Sequence, residues 1–181
     1  MTDQNTAFRA LASLASRCRS FARDLPAQEE TQQQWSGLGF GLLGKNFIVP
    51  MGQVSEVLEV PSYTKLPGVK PWVKGVSNVR GRLLPLMDLA SYLGYRLTSP
   101  VKRQRILILE NQELYCGLIV DHSYGIQHFL AENYQPEAVI DEETLNPLLL
   151  GNYLDTNKGK WFVFSMVNLI QTPDFLSAAK L

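Results

Sequence analysis

From Trp35 to about residue 166 the chain is a series of short apolar segments separated by turn residues, and this pattern constrains the fold more than any other feature. The segments are rich in Val, Ile, Leu and aromatic residues and are too short for helices, which indicates strands. Strands are predicted over 35–42, 47–49, 54–60, 72–79, 82–87, 105–109, 114–120, 124–129 and 160–166. Many short strands at this spacing predict an all-β barrel or sandwich.

A different periodicity precedes the strands. Apolar residues recur at steps of three and four through the first part of the chain, which predicts an amphipathic helix over 1–26. Residues 27–34 are polar apart from Ala27 and predict a linker, so the strand-rich domain is expected over 35–172. The helix has two interpretations: it docks on its own domain or a partner, or, with four arginines, it lies at a membrane interface. We favour docking.

Two short helices are expected within and after the strands. Asp88 is well placed to cap a helix over 89–93, and Gly94 follows as a stop signal. Pro173 opens a predicted C-terminal helix over 173–181. Residues 131–143 contain five acidic residues and no cation, so they are expected to form an exposed acidic loop or helix.

Composition excludes several classes of function. The 181-residue chain has 17 Lys and Arg against 17 Asp and Glu, which removes the uniform basic field that non-specific binding to nucleic acid or anionic membranes needs. Trp161 beside Lys158 and Lys160 is a weak nucleic-acid candidate, and we expect no such partner. No apolar run approaches the ~20 residues of a membrane span. We therefore expect a cytoplasmic protein with no direct membrane insertion.

The segment from Gly39 to Gly44 matches the letters GxGxxG of a dinucleotide site. Such a site needs a strand before the glycines and a helix after them, because the pyrophosphate binds at the N-terminus of that helix. Here the glycines lie within a strand pattern and lead into Phe47-Ile48-Val49, another strand. We interpret the glycines as residues that allow close packing.

The two histidines, His122 and His128, with Asp121 beside the first, are the candidates for an acid/base pair or a metal site. Their even separation places both on one face of a strand. No third ligand is suitably spaced and no GxSxG nucleophile motif is present, so hydrogen-bonding roles are favoured and neither catalysis nor a metal is expected. A small β-barrel enzyme or ligand-binding protein that uses these three residues remains the alternative.

Two linked motifs resemble one known family. Residues 72–89 read WVKGVSNVRGRLLPLMDL, and residues 47–58 read FIVPMGQVSEVL. Both resemble the signature segments of the CheW family of chemotaxis adaptors at the expected separation, and the resemblance covers about residues 36–170. Trp35, the LPG segment at 66–68 and the N-terminal helix are most similar to the branch that serves type IV pilus twitching motility.

The resemblance implies two intertwined, five-stranded SH3-like barrels with no cofactor and no catalysis. It also implies an adaptor that couples the cytoplasmic tip of a methyl-accepting chemoreceptor to the regulatory domain of a CheA-like histidine kinase, in receptor arrays at the inner membrane. The positions that correspond to receptor binding are Val54, Glu56, Val57, Asn78, Arg80 and Gly81. Lys74 and Gly75 correspond to kinase binding.

The chemistry of the Asn78–Gly81 segment agrees with this assignment. If Arg80 and Gly81 form a corner between strands, glycine lets the backbone turn, and the guanidinium points outward, where it can bind a carboxylate or carbonyl of a partner. Asn78 can bond to the backbone of the same corner and hold it still.

Overall fold

The structure, a computed structural model, describes residues 3–21, 34–111, 114–155 and 159–177. The chain divides into two compact units, Met1–Gln32 and Gln33–Leu181. The first contains helix α1, Asp3–Phe21, which agrees with most of the predicted helix over 1–26. Nearly all of the predicted linker, up to residue 33, lies outside the described residues. None of the described helices has the length and apolar character needed to cross a membrane.

The described residues of the second unit form eleven strands and three short α-helices. The strands are β1 Gln34–Leu42, β2 Lys45–Pro50, β3 Glu56–Glu59, β4 Val73–Val79, β5 Arg82–Asp88, β6 Arg105–Glu110, β7 Tyr115–Val120, β8 His122–Leu130, β9 Tyr134–Gln135, β10 Leu149–Asp155 and β11 Gly159–Phe164. The helices are α2 Leu89–Tyr92, α3 Met166–Gln171 and α4 Pro173–Leu176. Every predicted strand region contains an observed strand.

The strands form two sheets, and each curls into a barrel. We call the sheet β8-β1-β2-β11-β10-β9 the first barrel and the sheet β3-β6-β7-β5-β4 the second barrel. The first therefore joins strands from both ends of the unit, and the second is made from its middle. This is the predicted all-β fold of two intertwined barrels, with the two-residue strand β9 as a sixth strand in the first.

Three apolar clusters hold the unit together, because each sheet has one face inside its barrel and one against its neighbour. The interior of the first barrel contains Ile48, Phe129, Tyr153, Trp161 and Val163. The interior of the second contains Leu84, Leu86, Ile106, Ile108 and Ile119. The largest cluster lies between the barrels and includes Phe40, Phe47, Leu107, Leu118 and Phe164. From α4, Phe175 is fully buried in this third cluster.

The glycines of the GxGxxG segment have the packing role predicted for them. A Cβ atom added at Gly39 would lie 2.8 Å from the ring of Trp161, and one at Gly41 would overlap the ring of His122. Gly44 lies in the turn between β1 and β2 with a φ of +74°. A helix does not follow these glycines, so the segment lacks the anion site of a dinucleotide-binding fold.

Three strands differ from the sequence prediction. The last long strand, predicted over 160–166, ends at Phe164, because the Ser165 hydroxyl accepts a hydrogen bond from the Asn168 amide at 3.1 Å and caps α3. Neither β9 nor β10 was predicted. The predicted helix over 173–181 is observed as α4, and residues 178–181 lie outside the described part of the chain.

The acidic segment over 131–143 is mostly exposed, as predicted, although it contains strand β9 as well as a short 3₁₀ turn. Its Ile140 is buried in the cluster between the barrels. Glu142 pairs with Lys45 at 3.2 Å. The segment therefore packs on the domain through Ile140, the Glu142–Lys45 ion pair and the pairing of β9 with β10.

Candidate functional site

The turn between β4 and β5 has the geometry expected from its sequence. Arg80 and Gly81 have φ angles of 52° and 82°, so both central residues lie in the left-handed region that two-residue hairpin turns use. The side-chain oxygen of Asn78 accepts a hydrogen bond from the Gly81 amide at 2.9 Å. The prediction that Asn78 holds this corner is confirmed. The turn is consequently a fixed platform for the Arg80 side chain.

Arg80 is 73% exposed, as predicted, but its guanidinium already has a partner within the chain. Both terminal nitrogens donate to the Glu56 carboxylate, with Nη1 at 2.9 Å from Oε2. Glu56 lies on β3 and Arg80 follows β4, and these strands are the two edges of the second barrel. The ion pair therefore connects the edges at one end of that barrel. Both residues belong to the predicted receptor site, but their pairing was not predicted.

Beside this ion pair is a groove of about 210 Å³ between the two barrels, which we call the inter-barrel groove. It is lined by Leu38, Pro50, Met51, Gly52, Val54, Ser55, Glu56, Val57 and Ile126. Met51 and Ile126 are 56% and 54% exposed. Val54 and Val57 are half-buried and pack against the cluster between the barrels. The groove thus combines an apolar floor, exposed apolar rims and one charged pair.

Met51, Ile126 and Leu38 were not predicted as site residues. Met51 lies in the turn after β2, Ile126 on β8 and Leu38 on β1, so three distant segments of the chain supply them. Leu38 and Ile126 are brought together only by the pairing of β1 with β8. An exposed isoleucine in an otherwise polar stretch of β8 was the one available sequence signal.

Lys74 and Gly75, the kinase-binding candidates, lie near the start of β4, at the opposite end of that strand from the Arg80 turn. The ammonium of Lys74 is 2.9 Å from the Asp88 carboxylate, whose other oxygen accepts from the Ser91 amide and caps α2. Gly75 has a φ of 145°, and a Cβ atom there would run into the carbonyl oxygen of Thr64. Gly75 therefore permits the backbone pairing of Thr64 with Val76.

The His122, His128 and Asp121 alternative does not form a site. Tyr124 is an extra residue in β8, so His122 pairs with Gly41 whereas His128 pairs with Ser36, and these β1 positions face opposite sides of the sheet. The predicted common face is therefore wrong. His122 packs edge-to-face on Tyr124 at 4.5 Å. Among the described residues, no group of three or more His, Cys, Asp or Glu side chains could hold a metal ion.

Asp121 is buried and has a structural role at the crossing from the second barrel to the first. Its carboxylate accepts hydrogen bonds from the amides of Thr98, Ser99 and Leu43 at 2.6, 2.7 and 3.0 Å, and from the Thr98 hydroxyl at 2.9 Å. Burial acts to raise the pKa of Asp121, but these hydrogen bonds outweigh burial and lower it. The charged carboxylate fastens two loops to the junction of the barrels.

The weak nucleic-acid candidate also fails. Trp161 is only 4% exposed and belongs to the interior of the first barrel, so its ring presents no face for a base to stack on. Lys160 lies over the ring of Phe162 at 4.9 Å, and Lys158 falls outside the described residues. Trp161 and Phe162 are both buried, on opposite faces of β11, in two different apolar clusters.

The two intertwined barrels, the inter-barrel groove and the Asn78–Gly81 turn define a protein class. Residues 36–174 match the family model of the CheW-like domain, and the chain belongs to this family of chemotaxis-type scaffold adaptors. The crystal structure of the scaffolding protein TtCheW from Thermoanaerobacter tengcongensis has the same fold, with a TM-score of 0.61 at 23% identity, over 74% of this chain and 90% of that one.

Within the family, the chain is similar to Protein PilI of Pseudomonas aeruginosa, with 46% identity over 179 residues, which is 99% of both chains. The resemblance to the twitching-motility branch is thereby confirmed. The chain is also 31% identical to the chemotaxis protein CheW of Bacillus subtilis over 87 residues, which is 48% of this chain and 56% of that one. With Protein FrzA of Myxococcus xanthus it shares 27% identity over 114 residues, 63% of this chain and 70% of that one.

Proposed function

We propose that this chain is a non-catalytic cytoplasmic adaptor that couples a methyl-accepting chemoreceptor to a CheA-like histidine kinase in a pathway controlling type IV pilus twitching. The receptor tip binds at the inter-barrel groove and the Arg80 turn. The regulatory domain of the kinase binds near Lys74. Family membership and the similarity to PilI support this proposal, and the observation that carries it is the groove beside the Glu56–Arg80 pair.

The groove suits the helical tip of a receptor for physical reasons. An amphipathic helix binds by laying a few apolar side chains into a groove and placing charges at its rim. Val54 and Val57 supply the apolar floor, Met51 and Ile126 extend it, and Glu56 is at its charged side. The 210 Å³ volume accommodates a few side chains rather than a whole ligand, which fits a partner of moderate affinity.

The kinase side rests on position. Lys74 lies at the other end of β4 from Arg80, and it borders a wider cavity of about 460 Å³ together with Tyr63, Tyr95 and Arg96. The four residue steps from Lys74 to Asn78 span roughly 13 Å along a strand. In this proposal the two partners bind at these separate positions of the second barrel, and a change in one complex alters the free energy of the other.

The proposal is tested by separate binding measurements with a soluble cytoplasmic receptor fragment and with the regulatory domain of a CheA-like kinase. We expect Arg80→Glu to abolish receptor binding, since it removes a cation and puts two carboxylates side by side, while kinase binding persists. Lys160→Glu on β11 makes the same change in net charge on the other barrel and serves as the matched control. Retained receptor binding by Arg80→Glu, or failure of the unmodified chain to bind either fragment, contradicts the proposal.

A further inference from the structure

A further ion pair on the second barrel, between Arg82 and Glu110, was not indicated by any sequence motif. Arg82, the first residue of β5, extends across the neighbouring strand β7 and reaches Glu110 at the end of β6. Its Nη1 atom is 2.6 Å from Oε1 of Glu110. On the way, its guanidinium lies over the ring of Tyr115, 3.9 Å from the ring centre. Tyr115 and Glu110 are themselves partners in the β6–β7 ladder.

This arrangement fixes the orientation of the Arg82 guanidinium and leaves several of its N–H donors unused by the described residues. The ring below and the carboxylate at one edge hold the plane of Arg82 in place, so little side-chain entropy remains to be lost when a partner binds. Arg82 is 56% exposed and Glu110 is 42% exposed, so both remain accessible. The result is an oriented cation on an open surface.

The two arginines of the Arg80-Gly81-Arg82 segment differ in the donors that they have left. Arg80 uses both terminal nitrogens on the two oxygens of Glu56. Within the part of the chain that the structure describes, Arg82 makes a single hydrogen bond, to one oxygen of Glu110. A guanidinium carries five N–H donors in a fork that matches a carboxylate. Arg82 therefore has one edge of its guanidinium available for a second carboxylate. Arg80 has fewer N–H donors available, because both of its terminal nitrogens already donate to Glu56.

Arg82 also lies beside the candidate receptor surface. Glu56 pairs with Ile108 across β3 and β6, and Glu110 is two residues further along β6 on the same face. Such diagonal neighbours lie ~7–8 Å apart. The Glu56–Arg80 and Glu110–Arg82 pairs are consequently adjacent at one end of the second barrel, and a partner bound at the first is within reach of the second.

We infer that Arg82, stacked on Tyr115 and held by Glu110, binds a carboxylate side chain of the receptor tip and helps to select which receptor this adaptor accepts. This inference rests on the proposed function and deepens it. Arg80 closes the barrel and shapes the surface, whereas Arg82 supplies the direct contact. A receptor with a cation or an apolar residue at the facing position binds poorly, because the guanidinium then loses water without gaining a partner.

The test measures the dissociation constant of a soluble cytoplasmic receptor fragment for Arg82→Gln, Arg82→Lys and the control Lys160→Gln. Arg82→Gln is expected to weaken binding about tenfold or more, the usual effect of losing a hydrogen bond between charged groups. Arg82→Lys restores only part of it, because lysine neither stacks on Tyr115 nor offers a planar fork. Lys160→Gln, kinase-domain binding and the melting temperature should stay unchanged.

A charge-reversal experiment identifies the partner group. Arg82→Glu is combined with receptor fragments in which exposed acidic residues of the tip are changed singly to lysine, and one of them is expected to restore binding. If none does, or if Arg82→Gln binds the receptor as tightly as the unmodified chain, the inference is wrong while the proposed function stands. Equal losses of receptor and kinase binding with a lowered melting temperature also overturn it. If the unmodified chain does not bind the receptor fragment, both fall.

Discussion

The two barrels of this domain are closed by different interactions. In the first, Phe129 on β8 stacks on Tyr153 on β10 with ring centres 5.0 Å apart, which joins strands that are four places apart in the sheet. In the second, Glu56 and Arg80 join the two edges through an exposed ion pair. Buried rings stabilise a fold strongly, whereas exposed ion pairs contribute little.

This difference indicates how the molecule separates stability from recognition. The first barrel owes its stability to a buried aromatic interior. The second has an aliphatic interior, and its charged end is exposed. The candidate residues for receptor and kinase binding lie on this second barrel, apart from the groove residues that the first barrel supplies. Charged groups at that end can therefore change between homologous adaptors with little cost in stability.

The largest effect is expected from Trp161→Ala in the first barrel. The substitution removes a buried ring that contacts Tyr124 and Phe129, and we expect it to lower the free energy of unfolding by about 4 kcal/mol. Ile106→Ala in the second barrel is the comparison, with an expected loss of about 3 kcal/mol. Urea unfolding measures both. A larger loss for Ile106→Ala than for Trp161→Ala would contradict the view that the rings dominate.

Acid should weaken the junction between the barrels through Asp121. Because the pKa of this carboxylate is lowered in the folded state, its contribution to stability is complete above the ordinary aspartate value of 3.8 and is lost as the pH falls through the folded value. Asp121→Asn is expected to lower the free energy of unfolding by about 3 kcal/mol at neutral pH, since a carboxamide group cannot accept all four hydrogen bonds.

The measurement is the free energy of unfolding of both proteins between pH 7 and pH 3. The difference in free energy of unfolding between the unmodified chain and Asp121→Asn should narrow as the pH falls, because only the unmodified chain has a buried carboxylate that loses its charge. Asp141→Asn, an exposed acidic position, controls for the general effect of removing a carboxylate. A gap that stays constant down to pH 3 would show that the charge of Asp121 does not matter.

The two barrels should also differ in how much stability they lose when a methyl group is added to a buried glycine, and these losses are smaller. Gly39→Ala places a Cβ atom 2.8 Å from the ring of Trp161, which is itself packed, and should lower the free energy of unfolding by about 2 kcal/mol. Gly117→Ala in the second barrel meets the ends of two flexible side chains, Leu86 Cδ2 at 3.0 Å and Leu84 Cδ2 at 3.3 Å, and should change stability by less than about 1 kcal/mol. Thermal unfolding of the pair decides, and equal losses would contradict the distinction.

Much of the fold could be predicted because its strands are marked locally. The Asn78–Gly81 turn, the Asp88 cap and the strands on either side all carry signals within a few residues of each other. Strand β10 was missed because Gly151 and Asn152, typical turn residues, lie inside it. There the register shifts by one residue, and Gly151 adopts a φ of 154° against Tyr134 and Gln135. Only tertiary pairing makes such a segment a strand.

Only the part of the site that lies within one short segment of the chain could be predicted from the sequence. Family motifs and local turn chemistry pointed to Asn78, Arg80 and Gly81, and these do lie together. The pairing of Arg80 with Glu56, and of Arg82 with Glu110, depends on which strands become neighbours after the sheet has curled. A single extra residue, Tyr124, reverses one histidine relative to the other, and spacing in the sequence cannot reveal such a bulge.

The smallest effect sharpens the comparison most directly. A double-mutant cycle with Glu56→Gln, Arg80→Gln and both together should give a coupling energy of about 0.5 kcal/mol in urea unfolding, because Arg80 is largely exposed and water screens the pair. In the same variants, we expect the loss of receptor-binding affinity to be much larger than the loss of stability. A coupling above about 2 kcal/mol would mean that the second barrel depends on this ion pair as the first depends on its rings, and stability and recognition would then share the same side chains.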